Sequence, residues 1–260
     1  MRRTVLNNRK EFGLFFVGFL LFFSCETKDQ TKELPLKAEK KKMEIVVKED
    51  TAGFISYIAK FGLCDVSKLD KHIFFEIKYA GSDNFMHQAL YSIINKPFLQ
   101  KDVAIRLIKC QDALSMLDTS LHLLVYDAVR PVDVQWKMWN ALDTLRPSER
   151  VKFVSNPINK SLHNYGAAVD VTICNSEGKP LDMGAGFDDI RKIAYPSMEA
   201  HFLESGELSE QQISNRALLR KVMRSQGFRN LPTEWWHFNA CSRAEAAKKY
   251  ALLDKEFTLQ

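Results

Sequence analysis

The chain has 260 residues, 46% hydrophobic and 27% charged, with a formal net charge of +5. That is a globular balance, with enough chain to bury a core without disulfides or a structural metal. No basic stripe interleaved with aromatics is present, which argues against a nucleic-acid-binding surface.

Arg2, Arg3, Arg9 and Lys10 precede an apolar run over 13–23, of signal-peptide length and short for a membrane span. The run ends at Ser24-Cys25, in the form of a bacterial lipobox. Residues 1–25 therefore read as a signal peptide, with Cys25 as the lipidation site. Residues 26–50, rich in Lys, Glu, Asp, Thr and Gln, read as a flexible charged tether. The expected location is outside the cytoplasm, in the periplasm or on the cell surface, anchored to a membrane through lipid. A folded domain is expected over 51–260.

Within it, residues 73–79 are apolar and aromatic-rich and read as a strand. Val103, Leu107, Cys110, Leu114 and Leu117 recur at helical spacing. Residues 121–126 suit a buried strand, and Pro131 is placed to open a helix with Val134, Met138 and Leu142 as its apolar stripe. Residues 168–173 read as a strand. Residues 215–226 read as a helix, with Ser214 as N-cap and Gly227 past its end. Residues 233–239 read as extended, and Ser242 with Glu245 as the capping box of a last helix. Strands and helices mix without a βαβ rhythm, so the fold class is α+β, a single compact domain. Cys64, Cys110, Cys174 and Cys241 are widely spaced and form no CxxC pair, which argues against a cysteine zinc site and leaves their pairing open.

Three clusters carry chemistry. The first is Ser161-Leu162-His163-Asn164-Tyr165-Gly166-Ala167-Ala168-Val169-Asp170. His163 can fold back across the Gly166 turn to meet Asp170, which sits on the strand face opposite Val169, Val171 and Ile173. An imidazole with a carboxylate suits zinc. The second is Glu234-Trp235-Trp236-His237, in which Glu234 and His237 reach one site only if a bulge or turn interrupts the strand. The third is Tyr126-Asp127-Ala128-Val129-Arg130-Pro131, a strand running into a helix. Taken singly, each has an ordinary reading: local hydrogen bonds, an aromatic core strand, a surface Asp–Arg pair. The other histidines, His72, His87, His122 and His201, read as structural or surface residues.

Together and in this order the clusters resemble the D-Ala-D-Ala dipeptidase family, the VanX-like branch of the zinc D,D-peptidases related to VanY-type carboxypeptidases and the Hedgehog signalling domain. Ile77-Lys78-Tyr79-Ala80, Asp83-Asn84-Phe85 and Met183-Gly184-x-x-Phe187-Asp188 extend the resemblance over nearly the whole domain. It implies a small, mainly antiparallel sheet flanked by helices and one zinc ion per chain. It implies His163, Asp170 and His237 as zinc ligands, Glu234 as the catalytic carboxylate and Arg130 as the group that stabilises the transition state. Tyr79 and Ser161 match positions lining a dipeptide pocket. The chain departs from the pattern at Leu162 and at Met86-His87-Gln88. The implied activity is hydrolysis of D-Ala-D-Ala, a small-peptide substrate, in cell-wall turnover or D-alanine scavenging. The alternatives are a D,D-carboxypeptidase on peptidoglycan stems and a non-catalytic, zinc-stabilised wall-binding module.

Overall fold

The computed structural model describes residues 53–256; the apolar run, Cys25 and the charged stretch 26–50 lie outside the described residues. A helix over 53–60 (α1) leads into β1 (Leu63–Asp65), β2 (Phe74–Phe75), β3 (Phe98–Gln100), α2 (Lys101–Leu117), β4 (Leu121–Asp127), α3 (Val132–Ala141) and α4 (Pro147–Arg150). β5 (Ala168–Asn175), α5 (Glu199–Glu204), α6 (Glu210–Ser225), β6 (Arg229–Asn230), β7 (His237–Asn239) and α7 (Arg243–Lys249) follow. The main sheet has the order β2-β4-β5-β7-β6, and β1 pairs with β3 in a second, two-stranded sheet. Among the described residues, only the β2–β4 pairing is parallel. This is the mainly antiparallel α+β arrangement that was expected.

The apolar patterns explain the layers. Val103, Ala104, Leu107, Cys110 and Leu114 of α2 are fully buried, as are Leu123 and Val125 of β4 and Val169, Val171 and Ile173 of β5. Each buried Val, Leu or Ile among them contributes roughly 1.5–3 kcal/mol, so the packing of α2 on β4, with β5 paired to β4, fixes where the two strands lie. The opposite face of β5 is no wetter: Ala168, Asp170 and Thr172 are buried too. Asp170 is therefore a carboxylate inside the fold, and it requires partners.

Several boundaries differ from the sequence reading. Residues 73–79 form only the two-residue β2, then turn into 3-10 geometry at Lys78–Ala80, where the Tyr79 carbonyl accepts the N–H groups of Leu90 and Tyr91. Pro131 occupies the N-cap, one residue before α3. α6 starts at Glu210, because Ser209 and Gln212 form a reciprocal capping box upstream of the expected Ser214 cap. Its first turn is polar and gives no periodic signal. The Ser242–Glu245 capping box of α7 forms as expected. The four cysteines are unpaired, with Cys110 and Cys174 packed as small apolar groups.

Gly166 ends the turn before β5 at φ 63°, and a Cβ there would stand 2.3 Å from Leu63 Cδ2 and 3.3 Å from the Gln100 backbone nitrogen. Backbone strain alone sets the penalty for Gly166→Ala at about 1–3 kcal/mol, with the clash added to it. Urea unfolding of the variant is expected to show at least that loss.

Candidate metal centre and its cleft

The register of three strands places the site. Asp127 lies opposite Asp170 across β4 and β5, and Asp170 lies opposite His237, the first residue of β7. Directly paired residues share a sheet face, so the three side chains form one row. A shift in the β4–β5 register between Val125 and Asp127 makes this possible, by absorbing Tyr126 as an extra residue.

Two flanking segments complete the row. Ser161 caps a 3-10 turn at Leu162–Tyr165, its Oγ accepting the His163 N–H at 3.3 Å, and Gly166 ends that turn. His163 is thereby folded back over the start of β5. The Arg130 N–H donates to the His163 carbonyl oxygen at 3.0 Å, and the Asn164 amide donates to the Arg130 carbonyl oxygen at 2.7 Å. These bonds lock the two segments together. Glu234 comes from a bend that ends where β7 begins at His237. That is the interruption the sequence required, and it leaves Glu234 Oε2 3.9 Å from His237 Nδ1.

His163 Nε2, Asp170 Oδ1 and His237 Nδ1 form a triangle with sides of 2.9, 3.1 and 3.3 Å. The other nitrogen of each ring already faces an acceptor. His163 Nδ1 lies 2.5 Å from the Ala128 carbonyl oxygen and His237 Nε2 lies 2.9 Å from Asn239 Oδ1. Protons on those nitrogens leave the remaining two lone pairs aimed at the Asp170 carboxylate. Three buried electron-pair donors at such range repel one another unless a cation or proton lies between them. Ligands at 2.0–2.1 Å from a tetrahedral zinc stand roughly 3.3 Å apart, close to the size of this triangle. Two imidazoles, one carboxylate and an open side toward the cleft fit a zinc ion.

The surrounding charges call for the same thing. Asp127, fully buried, accepts Arg130 Nε at 3.0 Å and Nη2 at 2.7 Å on one oxygen, and the Tyr91 hydroxyl at 2.7 Å on the other. The Asp127–Arg130 pair is thus internal, not a surface pair. Arg130 also reaches Gln135 Oε1 at 3.2 Å and Asp170 Oδ2 at 3.4 Å, over the face of Tyr79. Burial pushes the Asp170 carboxyl up, but His163 and His237 outweigh it and hold the group well below the usual carboxylate range. Burial lifts Glu234 to about 7, with Asp170 adding to the rise while His237 and Arg130 oppose it. Burial and Asp170 likewise lift Asp188 to about 7. The cleft presents Asp170, Asp188 and Glu234, and the guanidinium beside them is already shared with Asp127.

Tyr79 and Ser161 both line this cleft. The Tyr79 hydroxyl donates to Asp188 Oδ1 at 2.9 Å, so Tyr79 holds another cleft residue in place. Phe85, rather than the exposed His87, faces the cleft. His122 stacks on Phe74, with Nδ1 3.0 Å from the His72 carbonyl oxygen, and His72 and His201 lie on the surface. The sequence reading assigned no role to Asp188 or Asn239. Strand alternation already carried a signal for Asn239, two residues beyond His237 and so on the same face. Asp188 sits in an irregular loop at φ 59°, and no periodicity could place it.

A family model described as D-ala-D-ala dipeptidase matches residues 59–256. Among curated proteins, a D-alanyl-D-alanine dipeptidase of Escherichia coli is 32% identical over 197 residues, covering 75% of this chain and 91% of its own length. Proteins of the same name from Synechocystis and Enterococcus faecalis are 30% and 29% identical, covering 54% and 63% of this chain and 68% and 83% of their own. The crystal structure of a vancomycin-resistance D,D-pentapeptidase, VanY, in complex with Zn(II) aligns with a TM-score of 0.30 and 13% identity, over 61% of this chain and 81% of that one. That likeness is too loose to bear on the site.

Asn239 fixes the His237 ring, so Asn239→Ala is expected to weaken divalent-metal affinity by about 10–100-fold without changing the ligand set. Competition with a chromogenic chelator measures it.

Proposed function

Because the chain belongs to the D-Ala-D-Ala dipeptidase family of M15 peptidases, we propose that it hydrolyses D-Ala-D-Ala to two D-Ala, with one zinc ion held by His163, Asp170 and His237. The observation that carries this reading is the triangle of buried donors, with Glu234 beside His237 and Arg130 beside Asp170. Bound there, zinc supplies a Lewis acid that brings the pKa of water toward about 7.

The chain's own groups do the rest. Glu234 keeps 19% of its side chain exposed toward the cleft, so it can accept the proton of the attacking water and deliver it to the leaving amine. Arg130 keeps its charge at any working pH, and its bonds to Asp127 hold it ready for the developing oxyanion. Asp188 supplies a carboxylate for the ammonium end of a free dipeptide. The Ser161 oxygen is occupied by the His163 N–H, which leaves its proton for the substrate. With Asp127, Asp170, Asp188 and Glu234 ionised, Arg130 and a divalent ion leave about one negative charge on the cluster, which an ammonium can meet locally at Asp188. A dipeptide with a free amino end is thereby favoured over an acylated stem peptide.

Residues 1–25 act as an export signal and Cys25 as a lipid anchor, so the enzyme meets dipeptide released from the wall outside the cytoplasm. Cell-wall turnover or D-alanine scavenging is the role that location serves. Radiolabelled palmitate is expected to label the wild type in cells and not Cys25→Ala.

Purified protein, with zinc measured by mass spectrometry, is assayed on D-Ala-D-Ala and on a stem pentapeptide. One zinc per chain and cleavage of the dipeptide are expected; D-Ala released only from the pentapeptide overturns the reading. Glu234→Ala is expected to retain zinc and lose about 10²–10⁴-fold in turnover, while His163→Ala loses zinc and activity together. Glu234 accepts a proton only when ionised, so kcat/KM rises with pH. Burial raises Glu234 to about 7, against His237 and Arg130; a bound divalent ion moves that limb lower, and a pH–rate profile reads it.

A further inference from the structure

The segment between Pro180 and Arg191 has no regular structure of its own, yet it delivers Asp188 to the cleft, with Phe187 packed beside it on cleft residues. Phe187 packs on Tyr79, Tyr126 and Trp236, with ring centroids 5.8, 5.2 and 5.5 Å away. Asp188 accepts the Tyr79 hydroxyl at 2.9 Å and the Phe85 N–H at 3.4 Å. These contacts hold the tip of the segment.

The root is held from behind, by α6. Gln212 donates to Asp182 Oδ2 and Asn215 to the Asp182 carbonyl oxygen, both at 2.8 Å, and Arg216 Nε donates to the Met183 carbonyl oxygen at 2.6 Å. The approach is close enough that a Cβ on Gly184, at φ 74°, would stand 2.2 Å from Leu208 Cδ2 and 2.9 Å from Gln212 Oε1.

Arg216 is the unexpected member of this anchor. Its side chain is fully buried, 3.6 Å from Glu199 Oε1, and neither terminal nitrogen has a hydrogen bond among the described residues. The Glu199 oxygens serve Arg220 instead, at 2.7 and 2.6 Å. An under-satisfied buried guanidinium destabilises the fold, and an apolar residue of similar volume would fill the space better. What such a residue could not do is bond the Met183 carbonyl. It would also remove the positive charge that helps hold the Asp182 and Asp189 carboxyls below their usual range, after their own hydrogen bonds to Gln212 and Arg191.

We propose that Arg216 is a positioning residue: through the Met183 carbonyl it sets where the Phe187–Asp188 arm stands, and so tunes the ammonium end of the dipeptide site without touching substrate. This rests on the reading of the cleft as a dipeptide site.

The test is Arg216→Met, similar in length but with neither donor nor charge, on zinc-loaded protein. KM for D-Ala-D-Ala is expected to rise about tenfold, with zinc content unchanged and kcat within about twofold. Arg216→Lys, which keeps a donor and the charge, is expected to recover part of the KM. Amide hydrogen exchange over 183–189 is expected to accelerate in Arg216→Met, with exchange in α2 and β5 unchanged. A folded Arg216→Met with wild-type KM and wild-type exchange overturns the proposal. So does a joint fall in kcat, zinc content and thermal stability, which marks a general structural role. If Arg216→Met does not fold, Asn215→Ala, which loses the neighbouring anchor to Asp182, carries the same expectation and the same overturning result. Absent wild-type turnover would defeat the dipeptide reading alone, because exchange over 183–189 still reports on the arm.

Discussion

The site depends on one constraint: Asp170 is a carboxylate buried in the middle of a sheet. A lone buried carboxylate would be protonated or would destabilise the fold, so it needs positive charge close by. His237 meets it from β7, His163 from the turn before β5, and Arg130 from the link between β4 and α3. The pairing of Asp127, Asp170 and His237 across three strands follows from the same need. It exists only because the bulge at Tyr126 brings Asp127 into the row.

A second layer of bonds stiffens the first. Asp127 is held by the Tyr91 hydroxyl, and Tyr91 is in turn set by its N–H to the Tyr79 carbonyl. The Glu256 carboxylate accepts the N–H groups of Ser92, Ile93 and Ile94 at 2.7–3.0 Å. The Leu253 N–H donates to the Asn164 carbonyl oxygen, and the Val132 N–H to the Leu253 carbonyl oxygen. The chain's last described residues therefore strap the Tyr91 segment, the His163 turn and the start of α3 into one unit. Such outer partners let a polar site keep its geometry while substrate and water exchange.

The division of labour in the cleft is electrostatic. Arg130 is neutralised within the protein by Asp127 yet stays aimed across Asp170, so it contributes field without a separate buried charge imbalance. Burial lifts both Glu234 and Asp188, Asp170 adds to the rise, and Arg130 opposes it only in part.

The sequence by itself determined the class of fold, the order of the motifs and the residue types. The buried runs of α2, β4 and β5 and the Ser242–Glu245 cap are local patterns, and local physics fixes them. The family resemblance was legible because motifs keep their order along a chain. The requirement for a break between Glu234 and His237 was legible too, since alternation in a strand is a hard geometric rule. Only the tertiary structure decided that Asp127 faces Asp170, because a bulge is one residue of slippage between two strands and leaves no mark in either one alone. Only it turned the Asp127–Arg130 pair inward, and only it brought Asp188 to the site. Burial, pairing register and the course of an irregular loop are set by contacts between residues far apart in sequence, here over β4, β5, β7 and the arm that α6 holds.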